Sequence, residues 1–219
     1  MNERLENLML EAERVEAAQA CRNLMGKYSY LHTAFRNNEY VELWAKREDS
    51  WITMPFGRFE GWEGVRHCYV DIHGDRSEDE FKEFGKGLMM MHNMDTEIIE
   101  VAKDAKTAKA CFISCGSETS PAQGKEKGAW CWGKYYVEFI KEDGEWKFWH
   151  LILYPLILSP YNKSWGEPQD DITEGKTPFE DPEGGVILLD EPMWEYGPGA
   201  IYPADEPHVP APYDSYPGI

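Results

Sequence analysis

Tyr28 and His32 lie one helical turn apart in LMGKYSYLHTAFRNNEYVELW, residues 24–44. Residues three and four apart share a helix face, so Met25, Tyr28, His32 and Phe35 fall on one stripe. Val15, Ala18 and Cys21 continue it backwards, while Glu13, Glu16, Arg22 and Lys27 fall mostly outside. A phenol and an imidazole on the apolar side of a helix need partners. They find them either as core residues bonded to carbonyls or as groups facing a reactant. In GLMMMHNMDTEII, His92 shares strand parity with Leu88, Met90, Met94 and Ile98 and so points to the more apolar face. Two inward His and a Tyr from separate elements make a better candidate site than any one alone. A neutral imidazole in an apolar cavity acts as general base or acid near neutral pH, and a Tyr donates to a developing enolate oxygen. Tyr28, His32 and His92 are therefore the candidate catalytic groups, for proton abstraction followed by elimination or re-protonation.

Tyr30, Phe35, Arg36, Met90, Trp130, Trp132, His150 and Tyr154 are the candidate substrate contacts. In EWKFWHLILY both strand parities are apolar, so parity alone does not orient His150. The same holds for Trp130, Trp132 and Tyr136 against Cys131, Tyr135 and Val137. His67 and His73 fall near the end of a surface helix and are read as bystanders. No Gly-x-Gly-x-x-Gly opens a helix, no P-loop occurs and no His-x-x-x-His pair is present, so neither cofactor nor metal is expected.

The elements that must position these groups change character along the chain. Residues 3–37 predict one long helix or two abutting ones, with Gly26 where a kink would fall. EYVELWAKRE predicts a short second helix, SWITMPF a strand ended by Pro55 and Gly57, and residues 63–72 a third helix. Residues 75–86 read as a solvated loop or short surface helix. Beyond them the period becomes two, and four long strands follow, the last two joined by a hairpin at Lys141-Glu142-Asp143-Gly144. Helices first and an antiparallel meander afterwards predict an α+β fold, one curved sheet wrapping helices on its concave side.

Eleven of the fourteen prolines lie at or after Pro160. Trp165, Phe179, Trp194, Tyr196, Tyr202, Tyr213 and Tyr216 are too many large apolar groups for a solvated linker. Residues 161–219 are therefore expected to be an extended arm, packed on its own barrel or a neighbouring subunit, with GVILLDE as an edge strand. The domain proper is residues 1–160.

A formal net charge of -18 argues against nucleic acid and anionic membrane as partners. The charged N-terminus carries no secretory signal, and no stretch approaches a membrane span. Five cysteines without a Cys-x-x-Cys pair read as reduced packing residues of a cytoplasmic protein. A convex, aromatic-rich sheet face needing cover predicts a homodimer or homotrimer.

Met25-Gly26-Lys27-Tyr28, Met91-His92-Asn93-Met94 and Asp143-Gly144-Glu145-Trp146 resemble segments of the nuclear transport factor 2-like superfamily, in its SnoaL-like branch. Over about residues 12–160 the chain is most similar to the bile acid 7α-dehydratases, and more distantly to the scytalone dehydratases. The resemblance implies a cone-shaped α+β barrel with a deep cavity, and catalytic roles for Tyr28 and His92. The Asp that the dehydratases carry on the first helix falls on Arg36 or Thr33 here, depending on the direction of alignment. His32, the nearest titratable group on the correct face, is taken as its stand-in beside His92. A second carboxylate of the bile acid enzymes, on a central strand, has only Glu118 as a weak counterpart.

Together these readings point to a cofactor-independent lyase of dehydratase type acting on a hydrophobic cyclic or aromatic small molecule. A ketosteroid-type isomerase or a lyase releasing formaldehyde would need similar groups. A non-enzymatic ligand-binding or assembly module would have the same fold, since fold does not fix function.

Overall fold

The computed structural model describes residues 3–120, 127–167, 181–190, 193, 196–199 and 201–217. Helix α1 (Glu3–Thr33) runs without a break through Gly26, where an added Cβ would meet nothing within 4 Å. Only its second half is buried, through Ala17, Cys21, Leu24, Met25, Tyr28 and His32. The first half projects, leaving Leu5, Leu8, Met9 and Val15 exposed; the apolar stripe therefore stops contributing to the core before Val15. α2 (Asn37–Val41) is shorter than expected. The backbone between α1 and α2 turns at Phe35, whose φ of 55° breaks the helical path.

Strands β1 (Trp51–Met54) and β2 (Gly57–Glu60) form a hairpin, followed by α3 (Gly61–Arg66) and a π-helical turn over residues 67–72. α4 (Glu78–Phe84) opens on a capping box in which Ser77 and Glu80 satisfy each other's amides. The expected first long strand is two, β3 (Met89–Met91) and β4 (Asp95–Val101), with His92 in the break. Strands β5 (Thr107–Ser120), β6 (Lys127–Glu142) and β7 (Glu145–Pro160) complete a seven-stranded sheet of order β2-β1-β7-β6-β5-β3, with β4 also on β5. The pairing is antiparallel except between β1 and β7. The hairpin at Asp143-Gly144 is present, both residues at positive φ.

Two irregularities in β7 set which side chains face inward. Glu138 pairs with His150 but Phe139 with Phe148, so Trp149 is an extra residue. Trp132 pairs with Ile157 but Gly133 with Pro155, so Leu156 is another. The first bulge puts Phe148 on the same face as Leu151 and Leu153, which explains why both parities of this strand look apolar. The concave face, α1 and α2 share one core containing Tyr28, Tyr40, Trp44, Tyr69, Phe112, Tyr135, Phe139 and Phe148.

The C-terminal arm lies across the convex face of its own sheet. Tyr213 and Asp214 accept from the amides of Lys103 and Asp104 through their carbonyls, and Lys134 donates to the carbonyls of Ala204 and Glu206. Tyr216 packs edge-on to Trp149, centroids 4.7 Å apart, and its hydroxyl donates to Glu138 at 3.1 Å. Lys109 sits over the rings of both Tyr213 and Tyr216. The arm thus covers this face around Trp149, Glu138 and Lys109. The expected edge strand GVILLDE reduces to one antiparallel bridge, Ile187 exchanging both backbone bonds with Arg58. Phe179 and Trp194 of the arm lie outside the described residues. Tyr216→Phe removes a hydrogen bond from a buried carboxylate, and a loss of about 1.5 kcal/mol is expected in urea unfolding. An unchanged midpoint would show the arm's contact to be idle.

Candidate active site

A cavity of about 200 Å³ opens between α1, the β1–β2 turn and the concave sheet face. Tyr28, His32, His73, His92, Glu118, Ser114, Cys131, Trp132 and Tyr135 line it, with Met54, Phe56, Met90, Leu153, Pro155 and Ile157 as apolar wall. The stripe on α1 delivers Tyr28 and His32, and the break between β3 and β4 delivers His92. Ser29 Oγ on α1 donates to the His92 carbonyl at 2.6 Å and ties that break to the helix.

The three candidate catalytic groups do meet. His32 lies between the other two, nearly parallel to Tyr28 at 5.3 Å and to His92 at 5.8 Å between centroids. Its Nδ1 bonds to Asn37 Oδ1 at 2.9 Å, and Asn37 in turn donates to the Gly74 carbonyl. The carboxylate beside His92 is Glu118, with Oε1 3.4 Å from Nε2. Tyr28 pairs through its hydroxyl with that of Tyr135 at 3.2 Å.

Among the candidate substrate contacts, Met90 and Trp132 are on the cavity wall. The others are elsewhere. Tyr30 is 81% exposed, because it falls outside the buried stripe of α1. Phe35 packs on Phe81, and Arg36 is paired with Glu39 at the surface. Trp130 leans on Trp132 and Tyr161. The Trp149 bulge turns His150 to the convex face, where Nδ1 meets Glu138 at 2.6 Å and Nε2 meets the Asp49 carbonyl at 2.9 Å. Tyr154 pairs across the sheet with Lys134, a residue held by the arm, and does not line the cavity.

His73 is no bystander. The π-helical turn swings it inward, with Nδ1 2.7 Å from the Cys68 carbonyl and its ring edge-on to His32 at 5.3 Å. His67 is held at the protein's side by Asp71 and Asp181. Helical periodicity does not anticipate a π turn, so nothing in the spacing separated these two histidines. Glu118 was legible in principle: it shares parity with Phe112, Ser114 and Gly116. The small side chains at 114 and 116 hide that inward face. Gly116 is required there, because a Cβ would stand 2.3 Å from the Cys131 carbonyl and 3.0 Å from His92 Nδ1.

Burial sets the electrostatics. It lowers His92 to about 4, helped by His73, and lowers His32 well below the usual imidazole value, with His73 and His92 adding and Asn37 opposing. His73 is likewise lowered by burial. All three rings are neutral at pH 7. Burial raises Tyr28 to about 12, so it keeps its proton and can donate it. Ser114 Oγ and Trp132 Nε1 are buried on the cavity wall with no hydrogen-bond partner among the described residues.

Three neutral buried histidines bind fewer protons than the unfolded chain below about pH 6.5. Their contribution to stability is complete above that value and is lost as pH falls through the folded values, about 4 for His92. His67 works oppositely: burial pulls it down, but Asp181 and Asp71 outweigh that and raise it, so its contribution fades as pH rises. With three groups against one, the urea midpoint is expected to be lower at pH 5 than at pH 7.5. A midpoint that rises on acidification would contradict the neutral cluster.

The SnoaL-like domain family matches residues 13–152, more than half of the chain. The chain belongs to the SnoaL-like family. No curated protein sequence matches it. Among solved structures, a protein assigned as a scytalone dehydratase from Novosphingobium aromaticivorans is 16% identical, with 70% of this chain and 93% of that one covered and a TM-score of 0.53. The hexachlorocyclohexane dehydrochlorinase LinA-type3 from Novosphingobium barchaimii is 15% identical, with 70% and 96% covered and a TM-score of 0.56. An NTF2-like protein with a cystatin-like fold from Novosphingobium aromaticivorans is 16% identical, with 75% and 94% covered and a TM-score of 0.51. These likenesses confirm the cone-shaped α+β fold of a SnoaL-like chain. No helix among the described residues is long and apolar enough to cross a membrane.

Proposed function

We propose that this SnoaL-like protein is a cofactor-independent lyase that eliminates a small leaving group from a hydrophobic one- or two-ring molecule. The observation that carries this reading is the pair His92–Glu118 at the wall of an apolar cavity that the hydroxyl pair Tyr28–Tyr135 also lines. His92, neutral at working pH, takes a proton from a ring carbon on its imidazole. The electrons of that C–H bond form the new double bond as the leaving group departs from the adjacent carbon. The Glu118 carboxylate stabilises the imidazolium so formed, and the Tyr28 hydroxyl donates to a leaving oxygen. Ser114 and Trp132 offer two further donors to polar atoms of the substrate. That scytalone dehydratase and dehydrochlorinase structures share the fold supports a lyase, and both names describe eliminations, the second from a cyclohexane.

Cavity size restricts the substrate. An apolar cavity of ~150 Å³ accommodates benzene, so about 200 Å³ suits one ring or a compact pair rather than a four-ring steroid. A ketosteroid-type isomerase, the alternative with similar groups, fits such a cavity less well. The test is turnover of cyclic compounds with hydroxide or chloride next to an acidic C–H. One-ring members are expected to give the olefin and four-ring members not. Turnover of the four-ring members alone would overturn the assignment.

A further inference from the structure

We propose that His92, Glu118 and Cys131 form a binding site for a divalent transition metal of the zinc class. They come from three separate parts of the sheet: the β3–β4 break, β5 and β6. One donor atom from each lies within 4.8 Å of the other two. Sheet register explains the convergence. Gly116 pairs with Cys131 and Glu118 with Met90, so Glu118 and Cys131 are diagonal neighbours on the concave face. The missing Cβ at Gly116 lets the His92 ring close over both.

The donor set selects the metal. Imidazole, carboxylate and thiolate together suit zinc and its neighbours, whereas magnesium and calcium prefer oxygen alone. Tetrahedral zinc holds such donors about 3.3–3.5 Å apart, from its bond lengths of roughly 2.0 Å to nitrogen and oxygen and 2.3 Å to sulfur. The His92–Glu118 separation of 3.4 Å already fits. A rotamer-scale movement of Cys131, under about 1.5 Å, brings in the thiolate. Three protein ligands leave a fourth position, which faces the cavity where a water or a ligand's donor atom can enter, the pattern of an open zinc site. A metal there takes the imidazole lone pair, so the loaded form has no free base at His92. Metal binding does not depend on the lyase reading and is tested without reference to turnover.

The test is a cobalt titration of the full chain, stripped by chelator and kept reduced. Wild type is expected to bind one equivalent, with a near-ultraviolet thiolate-to-cobalt charge-transfer band that zinc abolishes. Cys131→Ser should lose that band, and Cys111→Ser, which alters a thiol on the opposite face, should keep it. His92→Ala and Glu118→Gln should each weaken binding more than about tenfold. These two variants decide the matter if Cys131→Ser fails to fold. Absence of the band in wild type, its survival in Cys131→Ser, or unchanged affinity in both His92→Ala and Glu118→Gln would overturn the site.

Discussion

His92→Ala is expected to lower turnover of an eliminated ring compound by about a hundredfold or more, with the dissociation constant of an unreactive analogue changed far less. General acid–base groups contribute roughly 10² to 10⁴ to rate. His92 is the cavity residue whose imidazole is neutral at pH 7 and stands beside a carboxylate. Its ring adds little to the apolar wall formed by Met90, Leu153, Pro155 and Ile157, so binding should persist. Parallel measurement of rate and affinity separates the two classes of function. A variant that keeps full rate removes His92 from the mechanism. One that loses affinity and rate together makes it a binding residue only.

Phe148→Ala is expected to cost about 3–5 kcal/mol, a large fraction of the roughly 5–15 kcal/mol that holds an ordinary domain folded. Phe148 is fully buried where α2 meets the sheet. Its ring contacts Trp44 at 5.5 Å, Tyr40 at 5.5 Å and Phe139 at 5.2 Å between centroids. Its backbone exchanges bonds with the chain after α2, accepting from Ala45 and donating to the Leu43 carbonyl. Tyr40 in turn packs at a tilt against Tyr28, centroids 4.8 Å apart, so the cavity created would also loosen a site residue. Denaturant unfolding measures the loss. Less than 1 kcal/mol would mean the aromatic cluster repacks freely, against the close packing described.

Periodicity carried much of the fold because each signal was local. The 3.6-residue stripe through Met25, Tyr28 and His32 survives in the structure, and the two-residue alternation around His92 survives from Leu88 to Met94, whereas a register shift after Asp95 leaves Ile98 exposed. What periodicity could not carry is any residue inserted into it. The extra Trp149 reverses parity within β7, sending His150 outward to Glu138 and Phe148 inward. A π turn does the same to His73. The choice of His32 as partner of His92 followed helix position alone. Distance favours Glu118, a residue far off in sequence, and only strand register brings it near. The arm was recognised by its aromatics, but its seat depended on contacts such as Tyr216 with Glu138 that no local pattern encodes.

The most direct test of the central claim is a crystal structure of the chain soaked with a one-ring analogue of an eliminated substrate. The ring is expected in the cavity, its would-be reacting carbon about 3–3.5 Å from the His92 imidazole and its leaving-group position toward the Tyr28–Tyr135 hydroxyls. A ring seated outside the cavity, or a cavity that fills with the protein's own side chains, would contradict the account.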